Sequence, residues 1–155
     1  MYALFAYNTY ALLLIFKMLY SLNKFSIFAG NKQHLTMNIE ISIGEAVDKW
    51  TILAIKFANI LDKDKLKNVS KELNYLTKII PHEIVDDPMV IDLLDINKHL
   101  WKVEDDIRLC EKDNDFSLRF IELARQVYKW NDERARIKKE INIRYNSNFI
   151  EEKSY

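Results

Sequence analysis

Only two glycines and two prolines occur among the 155 residues of this chain, and this scarcity limits the folds that it can adopt. Tight β-turns and phosphate-binding loops depend on glycine, because glycine reaches positive φ angles without steric penalty. A chain with so little glycine is poorly suited to an all-β fold or to a nucleotide-binding α/β fold. We therefore predict an all-α protein with long helices and few connections.

Apolar residues recur at spacings of three and four in four segments, the pattern of helices with one buried face. These segments begin at Ile43, Leu66, Pro88 and Phe116 and end near Leu61, Ile80, Cys110 and Ile143. Their short polar connections favour antiparallel neighbours, so we expect an antiparallel four-helix bundle or two packed helical hairpins. Residues 37–155 then form a single helical domain with a short extended lead-in, and Pro81 to Asp87 is its longest irregular stretch.

The start of the first helix carries a local signal. Ser42 followed by Glu45 forms a capping box, in which the serine oxygen accepts from the Glu45 N–H and the carboxylate accepts from the Ser42 N–H. Between the second and third predicted helices, Asp87 followed by Pro88 is typical of a helix N-cap. Residues 113–115 are expected to end the third helix and to cap the fourth.

Residues 1–36 differ from the rest, because they contain no acidic residue and an apolar run from Tyr2 to Phe16. The run is marginal against the roughly 20 residues that a spanning helix needs. A secretory signal is disfavoured, since no basic residue precedes the run. A membrane anchor and a misplaced gene start before Met37 remain, and we favour the misplaced start. Under either interpretation the helical domain is cytoplasmic.

Charge and cysteine content narrow the classes of partner. Basic and acidic residues balance at 23 each, so no basic field predicts nucleic-acid binding. The single cysteine, Cys110, lies on the apolar seam of the third helix and is interpreted as a small buried hydrophobe. His82 and Glu83 lack a second histidine for a metal site. We expect neither a metal nor a cofactor.

One arginine interrupts the apolar seam of the fourth helix. Arg134 would be unfavourable there without a partner, and Asn131 and Lys138 share its face. A polar flank on the third helix contains Asn97, Glu104, Arg108 and Glu111. We predict that Arg134 pairs with Glu104 or Glu111. The cluster is either a structural layer that fixes helix register or a cationic pocket for a carboxylate or phosphate ligand.

Several segments together resemble a bacterial family catalogued as domain of unknown function 6165, over Ile39 to Tyr155. They are SIGEAVDKWTILAIK at 42–56, KLKNV at 65–69 with KEL at 71–73, LWKVEDDIR at 100–108, NDERA at 131–135 and EEKSY at 151–155. The resemblance implies no activity. It marks nine residues as a candidate polar site without an assigned catalytic group: Glu45, Asp48, Lys49, Lys56, Glu104, Arg108, Asn131, Arg134 and Lys138.

Two functions from different classes follow. The leading hypothesis is a non-enzymatic interaction or self-association module, so that the partner is a second copy or another protein. Its predicted spare apolar surface comprises Ile52, Ile55, Leu94, Trp101 and Ile121. The alternative is a small helical enzyme or sensor that binds a carboxylate or phosphate metabolite in the Arg/Lys/Glu cluster. A membrane partner depends wholly on insertion of residues 1–36.

Overall fold

A computed structural model describes residues 37–154 of the chain. Within this range the protein is all-α, as predicted, with five helices and no strand. The helices are α1 (Ile43–Asn59), α2 (Lys63–Ile79), α3 (His82–Val85), α4 (Pro88–Asp113) and α5 (Leu118–Arg144). None of them is long and apolar enough to cross a bilayer. The predictions for residues 1–36 lie outside the described residues.

The helix ends follow the predicted capping chemistry with two exceptions. Ser42 Oγ accepts from the Glu45 N–H at 3.1 Å, and Asp87 Oδ1 accepts from the Met89 N–H at 2.9 Å. The other half of the predicted capping box is absent, because the Glu45 carboxylate pairs with Lys138 on α5. The N-cap of α5 is Ser117 and not a residue of 113–115.

The stretch predicted as irregular, Pro81 to Asp87, contains one helical turn, α3. Pro81 has a φ of −57° and stands at its N-cap, where the fixed φ of proline suits a helix start. The N–H groups of Ile84 and Val85 both donate to the Pro81 carbonyl, at 3.1 and 3.3 Å. The connection between α2 and α4 is therefore compact.

The main core lies around α1, which packs against α2, α4 and α5. Its buried residues come from all five helices, with Ile80 between α2 and α3: Val47, Trp50, Leu53, Ala54, Ile55, Leu73, Leu76, Ile80, Ile84, Val90, Leu93, Leu94, Ile96, Leu100, Ile137 and Ile141. Trp50 Nε1 donates to Thr77 Oγ1 at 3.0 Å, which satisfies the buried indole. Helix α1 is thus covered on several sides.

The far half of the α4–α5 hairpin has a separate, smaller core. We call residues 102–129 the distal arm. Its buried residues are Val103, Cys110 and Leu123, with Ile107, Phe120 and Val127 packed against them, and none comes from α1 or α2. Cys110 is 2% exposed, which confirms its predicted burial.

The predicted spare apolar surface is largely wrong. Ile55 and Leu94 are each 3% exposed and belong to the main core, because α1 is covered on more than its main apolar face. Trp101 packs against the same core, and Ile52 is half-buried. Of the five residues only Ile121, on the distal arm, is clearly exposed.

Candidate functional site

A layer of buried polar side chains crosses the domain where α1, α4 and α5 meet. Asp48, Thr51 and Asn142 are at most 1% exposed, Asn97 is 4% exposed, and Lys138 is 9% exposed. Burying such groups is unfavourable unless they find hydrogen-bonding or charged partners. Three helices supply partners for these groups, and the exception is Asn142 Nδ2, which is buried without a hydrogen-bond partner.

Asp48 is the centre of this layer. Arg134 Nε donates to Asp48 Oδ1 at 2.8 Å, and its Nη2 donates to Oδ2 of the same carboxylate, so the pair is bidentate. Asn97 Nδ2 also donates to Asp48 Oδ1 at 2.8 Å and to Thr51 Oγ1 at 2.9 Å. Three donors from two other helices thus compensate a carboxylate that water does not reach.

The charge of Arg134 is matched within the protein. Its hydrogen bond with Asp48 raises the pKa of the guanidinium above its ordinary value, so Arg134 carries its charge at neutral pH. Its Nη1 donates to Asn131 Oδ1 at 3.3 Å, and Asn131 Nδ2 donates in turn to the Val127 carbonyl. The arginine that interrupts the seam is therefore a bound component of the layer.

Lys138 forms a second ion-paired centre, one helical turn beyond Arg134. Its ammonium donates to Glu45 on α1 and lies 2.7 Å from Glu151 in the C-terminal segment. Burial lowers the pKa of Lys138, but the hydrogen bonds with Glu151 and Glu45 outweigh burial and the net result is a raised pKa. The lysine is therefore a fixed cation between two carboxylates.

The N-terminus of α1 sits directly on α5. The Gly44 N–H donates to Asn142 Oδ1 at 2.6 Å, and the Ile43 N–H donates to Ser147 Oγ at 3.1 Å. A Cβ at position 44 would lie 2.5 Å from the Lys138 carbonyl oxygen. Only glycine permits this approach, which brings Glu45 within reach of Lys138.

The structure brings together five of the nine candidate residues and leaves four outside. Glu45, Asp48, Asn131, Arg134 and Lys138 lie in the layer or are bonded to it. Lys49 pairs with Glu72 on α2 at 2.7 Å. Lys56 lies eight residues beyond Asp48, or about 12 Å along the helix. Glu104 and Arg108 pair with each other at 2.9 Å on the surface of α4.

The predicted pairing of Arg134 with Glu104 or Glu111 is wrong, and the register of the hairpin explains why. Asn97 lies 17 residues before Asn114, and Arg134 lies 17 residues after Ser117, so the two face each other across the hairpin. Glu104 is seven residues nearer the turn, which displaces it by about 10 Å along α4. The partner of Arg134 comes instead from α1.

Part of the layer is not predicted by the sequence. The pattern indicates a polar flank that contains Asn97, and an equal count of residues from the turn sets Asn97 opposite Arg134. Thr51 and Asn142 carry no comparable signal, because isolated threonines and asparagines occur on any helix. Glu151 belongs to a segment without periodicity, so nothing local indicates that it returns to Lys138.

A cavity of about 820 Å³ opens beside the layer, between α5 and the C-terminal segment. Arg134, Lys138 and Lys153 line it together with Glu45, Asp132, Glu151 and Glu152, while Val127, Tyr128 and Ala135 give it an apolar side. The cations are already paired with these carboxylates or with Asp48. These pairings favour the interpretation of the cluster as a structural layer, with an open groove beside it.

Comparison of the sequence with protein families gives a match over most of the chain. Residues 37–155 match the model described as "Family of unknown function (DUF6165)". No curated protein and no solved structure matches the chain. The match confirms the resemblance found in the sequence motifs.

Proposed function

The chain belongs to the family of unknown function DUF6165, and we propose that it is a non-enzymatic module that associates with a second copy of itself through the distal arm. The architecture behind this proposal is an antiparallel four-helix bundle whose α4–α5 hairpin extends past α1 and α2. We place the module in the cytoplasm, where reducing conditions suit its one free thiol, Cys110.

The observation that carries the proposal is the poor coverage of the distal arm. Three buried residues are a small core for a helical pair, since helix stability in proteins comes mostly from packing. Around this core five large apolar side chains are exposed: Leu109, Phe116, Leu118, Ile121 and Tyr128. Ile121, Ala124 and Tyr128 follow each other at spacings of three and four, so they form one stripe along α5.

Charge favours a second copy as the occupant. Within the arm, the α4 residues 102–113 include five acidic and three basic side chains, and the α5 residues 118–129 include one acidic and three basic. In a two-fold symmetric contact between antiparallel arms, the acidic helix of each copy lies against the basic helix of the other. The same contact covers the Ile121 stripe and completes a four-helix core.

The alternative, a site for a carboxylate or phosphate metabolite, has weaker support. A dianionic ligand needs cations that are free to bind it. Arg134 is held by both oxygens of Asp48, and Lys138 is held by Glu45 and Glu151. A metabolite would have to displace a carboxylate from each cation before it could bind.

Sedimentation velocity of the full chain, from about 1 to about 100 µM, tests the association over the range of weak homodimers. We expect a concentration-dependent dimer. Ile121→Glu puts a charge into the stripe and is expected to give monomer over the same range. The matched control is Ile143→Glu, because Ile143 is equally an exposed isoleucine of α5 but lies outside the arm.

Circular dichroism at 222 nm establishes that both variants keep their helical content. A monomer at every concentration in the unmodified chain would refute the proposal. Association that persists unchanged in Ile121→Glu would place the contact elsewhere and would also refute it. Raising the salt concentration should weaken the dimer, because ions screen attraction between exposed charges.

A further inference from the structure

The C-terminal segment is an extended peptide that lies on α5. We call residues 148–154 the tail, which has no helix or strand. Glu151 lies 2.7 Å from Lys138, Glu152 lies 2.7 Å from Lys139, and Lys153 lies 2.9 Å from Asp132. Three consecutive side chains thus each find an opposite charge on α5: the two glutamates at the adjacent residues 138 and 139, and Lys153 six residues before Lys138.

The tail and the surface beneath it differ in solvent exposure and in the number of ion pairs that hold them. Every residue of the tail is exposed, with Glu151 and Glu152 side chains at 63% and 69% and Phe149 and Ile150 at 50% and 45%. Exposed ion pairs hold weakly. On the receiving side, Lys138 is buried and also pairs with Glu45, whereas the side chains of Lys139 and Asp132 are about half exposed.

The groove beside the tail contains volume that the tail does not fill. Its volume of about 820 Å³ continues along α5 from Asp132 to Val127 and Tyr128, which provide an apolar wall. A peptide that follows the path of the tail would reach this wall after its basic residue. The receiving surface is therefore larger than its present occupant.

We propose that this surface of α5 is a receptor site for an extended acidic peptide that carries two consecutive carboxylates followed by a basic residue, and that the tail occupies the site in cis. The incoming peptide replaces Glu151 on Lys138 and Glu152 on Lys139, and its basic residue replaces Lys153 on Asp132. The tail competes through its high effective concentration, since it is part of the same chain. Only a ligand that also uses the apolar wall binds better than the tail.

Fluorescence anisotropy with a labelled peptide of residues 148–155, NFIEEKSY, tests this site on the full chain. The double substitution Glu151→Gln and Glu152→Gln weakens the cis occupant and leaves α5 unchanged. We expect this variant to bind the peptide about tenfold more tightly than the unmodified chain, because two exposed ion pairs of the tail no longer compete. Adding Lys139→Gln to the variant should reverse about half of the gain in binding free energy, because it removes one of the two ion pairs.

A second peptide, NFIQQKSY, serves as the matched control, because it has the same length and apolar residues without the two carboxylates. It should bind neither protein. Equal affinity of the unmodified chain and the tail variant would overturn the proposal, as would equal binding of the two peptides or no binding at all. Tyr128 belongs both to the apolar wall and to the Ile121 stripe, so the titration is repeated in the tail variant with Ile121→Glu added. The peptide should still bind to this protein, and loss of binding there would overturn the proposal.

Discussion

Removing the charge of Asp48 is the sharpest perturbation of the polar layer. Asp48→Asn keeps the shape of the side chain and an oxygen that can accept from Asn97, but it leaves the Arg134 guanidinium without its counterion. The Asp48 side chain is 2% exposed and the Arg134 side chain is 26% exposed. The substitution therefore tests whether the ion pair contributes to stability or merely occupies space.

The expected magnitude follows from these exposures. Breaking a buried ion pair by removing one partner costs about 3 to 5 kcal/mol. Because Arg134 can turn partly towards water, we expect the lower end, a loss of about 3 kcal/mol in the free energy of unfolding. A double-mutant cycle with Arg134→Gln should give a coupling energy of about 2 kcal/mol, since the two groups act as one unit.

Urea denaturation followed by circular dichroism at 222 nm measures each corner of the cycle. Urea is preferable to guanidinium chloride, because molar salt screens ion pairs. The matched control is the Glu104–Arg108 pair, whose side chains are 50% and 65% exposed and whose coupling should be about 0.3 to 0.5 kcal/mol. A coupling between Asp48 and Arg134 no larger than that of the control would refute the reasoning.

Three further predictions concern the surroundings of the layer. Gly44→Ala should lower stability by about 1 to 3 kcal/mol in the same urea assay, although alanine usually favours a helix, because its Cβ would lie 2.5 Å from the Lys138 carbonyl oxygen; a stabilised variant would contradict this. The raised pKa of Lys138 means that its contribution is complete below the unfolded value of about 10.4 and is lost as the pH rises through the folded value. The stability difference between the unmodified chain and Lys138→Gln should therefore be constant from about pH 6 to 9 and shrink above about pH 10.5, and a difference that grew there would be inconsistent with the raised pKa. Trp50→Phe should lower the free energy of unfolding by about 2 kcal/mol, through the lost bond to Thr77 and the space left by the smaller ring, and a thermal midpoint unchanged by the substitution would argue against that contact.

Local chemistry in the sequence was enough to predict the four long helices and two of their N-caps, but not the single turn of α3. The scarcity of glycine indicated an all-α protein, and the caps at Ser42 and Asp87 depend on neighbours only two or three residues away. The predicted N-cap of α5 is wrong, because more than one nearby polar residue can cap this helix. Ser117 rather than residues 113–115 caps α5, because Asn114 takes a left-handed conformation with φ of 53° and ends α4 first.

The partners in the layer required the tertiary structure. The sequence by itself determined that Arg134 needs a counterion and that Glu45 and Asp48 are polar residues on the first helix. It did not determine that Asp48, 86 residues away, is the counterion of Arg134, or that Glu151 of the tail shares Lys138 with Glu45. Those pairings depend on the level at which α1 crosses α5, and the close approach at Gly44 sets that level. A helix repeats its side-chain directions every 3.6 residues along its whole length, so periodicity identifies a face but leaves the axial position of its partner to packing.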